Sequence, residues 1–297
     1  MSRKGKGWKR WLKRIGAVLL LFFIICYLFF RFGMNMAKSR DELAEIFAKD
    51  SQQPVHLQAE VAGYAVHYTS IGNTDGPLII FSHGSPGSWD GWLRYFQDEE
   101  LRSRAQLIAY DRPGFNETRP RQPAVSLATQ AEVLSPVLDT LPAHRPVIAV
   151  GHSYGGPVVV ELACRFPDRI DAILILAGSI DPELEEPFFA IQRWLAKPAW
   201  HWLLPPDMDV SNREILPLKQ ELIEQIGCWE TLRANVCVLQ GSNDMLVPSG
   251  NEDYARRMAP ENCGTTLMPG VDHFFIWEHT ALVKQSLEDL LNLLNQP

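Results

Sequence analysis

The chain has little cysteine: five residues in 297, too few to read as a disulfide-built scaffold at this length. It contains no H-E-x-x-H pattern, no cysteine-pair ligand set and no glycine-rich phosphate loop, so neither a metal nor an organic cofactor is expected. It has no internal repeat and no low-complexity segment. Acid is missing from residues 1–14, which carry seven lysines and arginines, although the whole chain has a formal net charge of -7. The remainder therefore holds 21 basic against 35 acidic groups. A body that acidic repels a phosphate backbone, and nucleic acid is not an expected partner. What remains is ordinary for a protein with a sizeable core, at 46% apolar and 21% charged residues.

The basic N-terminus runs into an apolar stretch from Ile15 to Phe30, extended past Arg31 by Phe32 to Met34. That length approaches the roughly 17–25 residues a helix needs to cross a bilayer. Nothing polar gives the segment a solvent face, which disfavours a core helix. Met34-Asn35-Met36-Ala37 offers no small-x-small cleavage site, and the residues before Cys26 lack the small side chain of lipoprotein processing. An uncleaved signal anchor is the expectation, with Trp8 and Trp11 at one interface and Arg31 snorkelling to the other. Seven basic residues before the span, against Arg31, Lys38 and Arg40 after it, put the N-terminus inside. The body is then expected on the outer, periplasmic or extracellular, side. Of the cysteines, Cys26 lies in this span, Cys164 and Cys237 fall in apolar runs as inert core thiols, and Cys228 and Cys263 pair only if the fold brings them together.

After a short helix (Arg40 to Ala48) and a linker, Val55–Val61 and Tyr64–Thr69 alternate around Gly63 and predict an antiparallel hairpin. The pattern then changes to continuous apolar runs: 78–81, 106–110, 147–150, 172–176 and 236–239. Such runs are strands buried on both faces, hence a parallel sheet. Helical stretches at Trp89–Ser103, Ser126–Leu141 and Tyr154–Phe166 separate them in a β-α-β rhythm. Between Gly178 and Ala234 the rhythm fails. More than fifty residues hold no buried run, only helical stretches with Phe188, Phe189, Trp194, Trp200, Trp202 and Trp229. This reads as an inserted helical lid whose aromatics partly build its own core and together suggest an apolar cavity over the strand ends.

One stretch organises the rest: Gly151-His152-Ser153-Tyr154-Gly155-Gly156, between a strand and a helix. In that context G-x-S-x-G is a nucleophile elbow, with the serine at the apex of a sharp turn and glycines where strand and helix approach. The helix N-terminus beneath it offers free N–H groups to an anion. Serine needs a base and the base an orienting carboxylate. Both follow strands: Asp244 in Gly241-Ser242-Asn243-Asp244 and His273 in Gly270-Val271-Asp272-His273. The duller alternatives are these. His83 shapes the turn after the first parallel strand, His152 packs under the elbow, Asp111 and Arg112 tie their own loop, Asp272 is a turn residue and His279 lies on the surface.

With Ser82-His83-Gly84-Ser85-Pro86-Gly87 and Asp111-Arg112-Pro113-Gly114, five motifs fall in order from about residue 55 to 294. The chain thereby resembles the α/β-hydrolase fold family, in its lidded, epoxide-hydrolase-like or peptidase-like branch. The resemblance implies an α/β fold with a mostly parallel eight-stranded sheet covered by helices. It divides the chain into a basic N-terminus and anchor (1–34), a linker (35–54), a core (55–178 and 235–297) and a lid (179–234). It also implies Ser153 as nucleophile, Asp244 as acid, His273 as base, and the main-chain N–H groups of Ser85 and Tyr154 as an oxyanion hole. Some members keep the acid after the sixth strand, where Asp181 stands. Epoxide hydrolases and haloalkane dehalogenases, which share the H-G-x-P turn, use aspartate at the elbow. Serine here implies acyl transfer, and Ser85 also departs from the H-G-G-P-G of the peptidases. The expected activity is hydrolysis of an ester or amide carrying an apolar acyl group. An acyltransferase, a carbon–carbon bond hydrolase or a non-catalytic binding protein on the same fold stay open, and the oligomeric state is not legible.

Overall fold

The structure, a computed structural model, describes residues 5–33, 37–185, 190–259 and 263–294. Arg3, Lys4, Met34, Asn35, Met36, Phe188 and Phe189 lie outside the described residues. One sheet of eight strands organises the body: β1 (Val55–Val61), β2 (Tyr64–Gly72), β3 (Leu78–Ser82), β4 (Gln106–Tyr110), β5 (Val147–His152), β6 (Ala172–Leu176), β7 (Asn235–Gly241) and β8 (Cys263–Met268). Their order is β1-β2-β4-β3-β5-β6-β7-β8. β2 runs antiparallel to both of its neighbours, and from β4 to β8 the pairing is parallel.

Helices α1 (Gly5–Gly33) and α2 (Arg40–Phe47) precede the sheet. α3 (Leu93–Phe96) and α4 (Glu99–Arg104) link β3 to β4; α5 (Leu127–Glu132) and α6 (Ser135–Asp139) link β4 to β5; α7 (Gly155–Arg165) links β5 to β6. Three helices, α8 (Ala190–Leu195), α9 (Pro206–Ile215) and α10 (Leu218–Thr231), intervene between β6 and β7. α11 (Gly250–Met258) precedes β8, and α12 (Phe275–Glu278) and α13 (Thr280–Leu294) follow it.

Why the central runs are unbroken is visible in the packing. Ile79, Phe81, Leu107, Ala109, Ile148 and Val150 feed one core; their neighbours Leu78, Ile80, Ile108, Tyr110, Val147 and Ala149 feed the other. With both faces covered, alternation has no polar side to show. The two expected long helices are each divided. Asp98 accepts the Leu101 N–H and restarts the chain as α4, and Pro136, lacking an N–H, opens α6 rather than continuing α5. α2 is held at its start by a capping box between Ser39 and Glu42.

Cys164 is not a free core thiol. It forms a disulfide with Cys228, which joins α7 to α10 across a Cα separation of 5.8 Å. Cys263 therefore does not pair with Cys228; it remains free, as do Cys237 and Cys26. The lid aromatics also depart from expectation. Trp229 is buried against Tyr254 in the core, and Trp194, Trp200 and Trp202 are exposed. None of the four lines a cavity at the strand ends. Within α1, Trp11–Gly33 is long and apolar enough to cross a membrane, with mean hydropathy 2.5 and none of its described residues fully buried.

Candidate active site

The elbow forms because β5 must turn into α7 almost without a loop. Ser153 sits at the apex with φ 54°, a left-handed conformation that costs a non-glycine residue stability and is kept where surroundings over-determine it. Its own N–H donates to Leu176 O at 3.0 Å, and its carbonyl accepts from Gly156 N at 2.9 Å. The flanking glycines are required by contact. A Cβ on Gly151 would stand 2.1 Å from Gly155 O, and one on Gly155 would stand 2.3 Å from Ser82 O.

Asp244 and His273 reach this point from the ends of β7 and β8. His273 Nδ1 donates to Asp244 Oδ2 at 2.7 Å, which leaves Nε2 free to face Ser153. The other carboxylate oxygen accepts from the Leu246 and Val247 N–H groups at 2.9 and 2.8 Å. Burial pushes the Asp244 carboxyl up, but the His273 hydrogen bond and these N–H groups outweigh it, and the group stays below the usual carboxylate range. Ser153 Oγ makes no hydrogen bond among the described residues; Ser153 and His273 line the same two cavities. Asp181 is directed elsewhere, capping Glu183 N and facing Arg257 at 3.7 Å. Asp272 caps Phe274 N in its turn, and His279 is exposed.

Two cavities meet at Ser85, Ser153, Leu246 and His273. One of about 720 Å³ runs past Trp92 and Trp277 to Lys38 and Arg94. The other, about 330 Å³, lies under the insertion against Gln192, Ile215 and Leu218. The N–H groups of Ser85 and Tyr154 find no protein acceptor among the described residues. The turn that carries Ser85 is fixed from below. His83 Nδ1 donates to Gly84 O at 2.7 Å, and Nε2 accepts from Arg112 N at 3.0 Å. This tautomer needs a neutral ring, and burial, helped by the Arg112 charge, holds the pKa well below normal.

Sequence reasoning missed one arrangement. Arg112 does more than tie its own loop. Its guanidinium forms a bidentate pair with Glu214 of α9 at 2.7 and 2.9 Å, both side chains 0% exposed. The same guanidinium donates to His83 O and Gly84 O at 2.9 and 3.0 Å and covers the Tyr154 ring at 4.5 Å. One cation thus joins the turn that carries Ser85, the elbow and the insertion. Ser85 Oγ adds a second tie, donating to Ser211 Oγ of α9 at 2.8 Å. No local signal marks Glu214, one of three acids in α9.

His152 behaves as a buried neutral residue, its Nε2 donating to His273 O at 3.2 Å. Burial first, then the charge of a protonated His273, lowers its pKa to about 3. The unfolded residue binds a proton near pH ~6.5, so between these values the unfolded state holds more protons and stability falls as pH falls. The interval from the unfolded value down to about 3 corresponds to about 5 kcal/mol. His152→Gln keeps a donor for His273 O and removes the titration. Its unfolding midpoint, followed in detergent by circular dichroism, is expected to fall less steeply than wild type below neutral pH. Parallel curves would remove His152 from this account.

Comparison with known proteins follows the geometry. A family profile described as alpha/beta hydrolase fold matches residues 77–203. Epoxide hydrolase 3 of Mus musculus is 29% identical over 120 residues, 39% of this chain and 32% of that protein. The chain spans about a third of the length of the first curated relatives it matches. A thermophilic esterase from Thermogutta terrifontis superposes with a TM-score of 0.65 at 17% identity, over 82% of this chain and 100% of the esterase. A bacterial membrane phospholipase A superposes at 0.62 and 19% identity, over 96% of this chain and 99% of that one. At these identities the two structures speak for the fold. Strand order, elbow and profile agree: the body of the chain has the α/β-hydrolase fold.

Proposed function

We propose that the chain is a membrane-anchored serine hydrolase that cleaves an ester, or an amide, through an acyl-enzyme. The observation that carries this reading is the 2.7 Å Asp244–His273 pair on the wall of both cavities that meet at Ser153. His273 Nε2 takes the proton of Ser153 as Oγ bonds to the substrate carbonyl carbon. The carbonyl oxygen becomes an anion between the N–H groups of Ser85 and Tyr154. The bond to the leaving group breaks as His273 returns the proton to it. Water then attacks the acyl group, loses its proton to His273, and Ser153 recovers its hydrogen when the acid departs. Asp244 holds the imidazole in the tautomer that leaves Nε2 free and offsets its charge.

The lid, residues 179–234 in this proposal, roofs the smaller cavity, and the two cavities divide the acyl and leaving groups between them. α1 is the anchor, with its basic end inside and the catalytic body outside. The Cys164–Cys228 disulfide supports the outer side, because such bonds persist in oxidising compartments. A fluorophosphonate probe added to the full chain in detergent is expected to modify Ser153, read by peptide mass spectrometry. Modification elsewhere, or none, would sink the assignment. Alkaline carbonate extraction tests the anchor separately: the full chain is expected to stay in the membrane pellet.

A further inference from the structure

Three tryptophans of the insertion face outward, and their position relative to α1 gives that a reason. Trp202 O accepts two hydrogen bonds from α1, one from Tyr27 Oη at 2.9 Å and one from Arg31 Nε at 3.0 Å. The Tyr27 and Trp202 rings meet edge to face at 5.9 Å. The span Trp11–Gly33 is about 34 Å long at 1.5 Å per residue, slightly more than the ~30 Å hydrocarbon layer. The hydrocarbon boundary therefore falls within the last turn, near Arg31. A backbone carbonyl held between the levels of Tyr27 and Arg31 lies at that boundary, where water is scarce and an unpaired carbonyl is costly. It has two donors.

Composition agrees with the depth. Residues 190–204 hold three tryptophans, Arg193 and Lys197, and no acid. Ile191, Trp194, Trp200 and Trp202 are 57%, 39%, 39% and 50% exposed, and the Trp194 and Trp200 rings stack at 4.5 Å. Tryptophan with an apolar body and one N–H suits the headgroup layer, and the two cations suit anionic lipids there.

We propose that residues 190–204 form a membrane-docking element, seated in the outer headgroup layer of the bilayer that α1 crosses. The inference rests on the proposed reading of α1 as a membrane span, and not on the hydrolase chemistry. It makes the lid a permanent resident of the membrane surface, so the smaller cavity, lined by Gln192 just before Arg193, opens beside lipid. Esters dissolved in the bilayer then reach Ser153 without crossing bulk water.

The test uses the full chain in vesicles of phosphatidylcholine and phosphatidylglycerol, with Trp8 and Trp11 replaced by Phe to silence the opposite interface. Phosphatidylcholine brominated on its acyl chains quenches tryptophans at the hydrocarbon boundary. Replacing Trp194, Trp200 and Trp202 by Phe as well is expected to remove roughly half or more of the lipid-dependent quenching. These side chains are exposed, so the substitutions spare the fold. Quenching that ignores the three substitutions overturns the docked turn alone; that result also follows if a second copy of the chain covers the tryptophans. A chain that fails to float with the vesicles overturns the span, and the docked turn with it.

Discussion

Ser153→Ala is expected to lower kcat for nitrophenyl ester hydrolysis by about 10⁵-fold or more, with thermal stability essentially unchanged. The two halves of that expectation have separate causes. Activity falls because the proposed bond to the substrate carbonyl is made by Ser153 Oγ, at the junction of the two cavities. What survives is the contribution of the N–H groups and of binding, which in other serine hydrolases retains about 10³–10⁴-fold over water. Stability holds because Ser153 Oγ has no hydrogen-bond partner among the described residues, so its loss leaves no buried group unsatisfied. Alanine carries the same left-handed strain at φ 54° that serine does.

Companion variants sharpen the result. His273→Ala is expected to match Ser153→Ala, and the double variant to fall no further, since members of one relay fail together. Asp244→Asn is expected to cost about 10⁴-fold, because its amide favours the wrong imidazole tautomer. Activity on soluble esters that survives in Ser153→Ala would remove Ser153 as the nucleophile.

How much of this was legible in the sequence depends on whether the signal was local. The central strands declared themselves because burial on both faces removes polar residues from the run. β8 did not. It is an edge strand with burial on few positions, and Cys263-Gly264-Thr265-Thr266-Leu267-Met268 has neither an apolar run nor clean alternation. Only the glycine turn after it, Gly270-Val271-Asp272-His273, pointed to a strand there. The elbow was readable because steric demand writes glycine into fixed positions: the 2.1 and 2.3 Å clashes at Gly151 and Gly155 are facts about neighbours in the chain or one strand away.

Long-range pairs left no such mark. Cys164 and Cys228 are 64 residues apart, and nothing in either segment tells that α7 and α10 lie side by side. The tryptophans of the insertion were read as cavity lining because aromatics in a lid usually have that use. Their outward direction depends on where α1 stands, which no pattern within residues 190–204 specifies.

Glu214→Ala is expected to be the most damaging substitution outside the elbow, at about 3–5 kcal/mol of lost stability. Arg112 would keep its charge with no exposure, and its remaining partners, His83 O, Gly84 O and two aromatic rings, bear no full negative charge. Gln130 Nε2, which donates to Glu214 Oε2 at 3.1 Å, would keep only its second acceptor, Ala124 O. A second variant separates stability from catalysis. Replacing the pair by Arg112→Met and Glu214→Leu removes both buried charges, and such exchanges for apolar residues of similar volume are often neutral in stability. If the pair served only the fold, that double variant would regain wild-type activity along with stability. The connections of Arg112 argue otherwise. The Gly84 carbonyl that precedes the Ser85 N–H is held by the same guanidinium that grips α9, so without it the turn that carries Ser85 keeps only the His83 hydrogen bond and its tie to Ser211. The double variant is therefore expected to unfold near the wild-type midpoint yet turn over esters with kcat reduced by roughly 10²-fold and KM little changed, the signature of a donor misplaced in the transition state. Full activity in a stable double variant would make Arg112 a strut of the fold and nothing more.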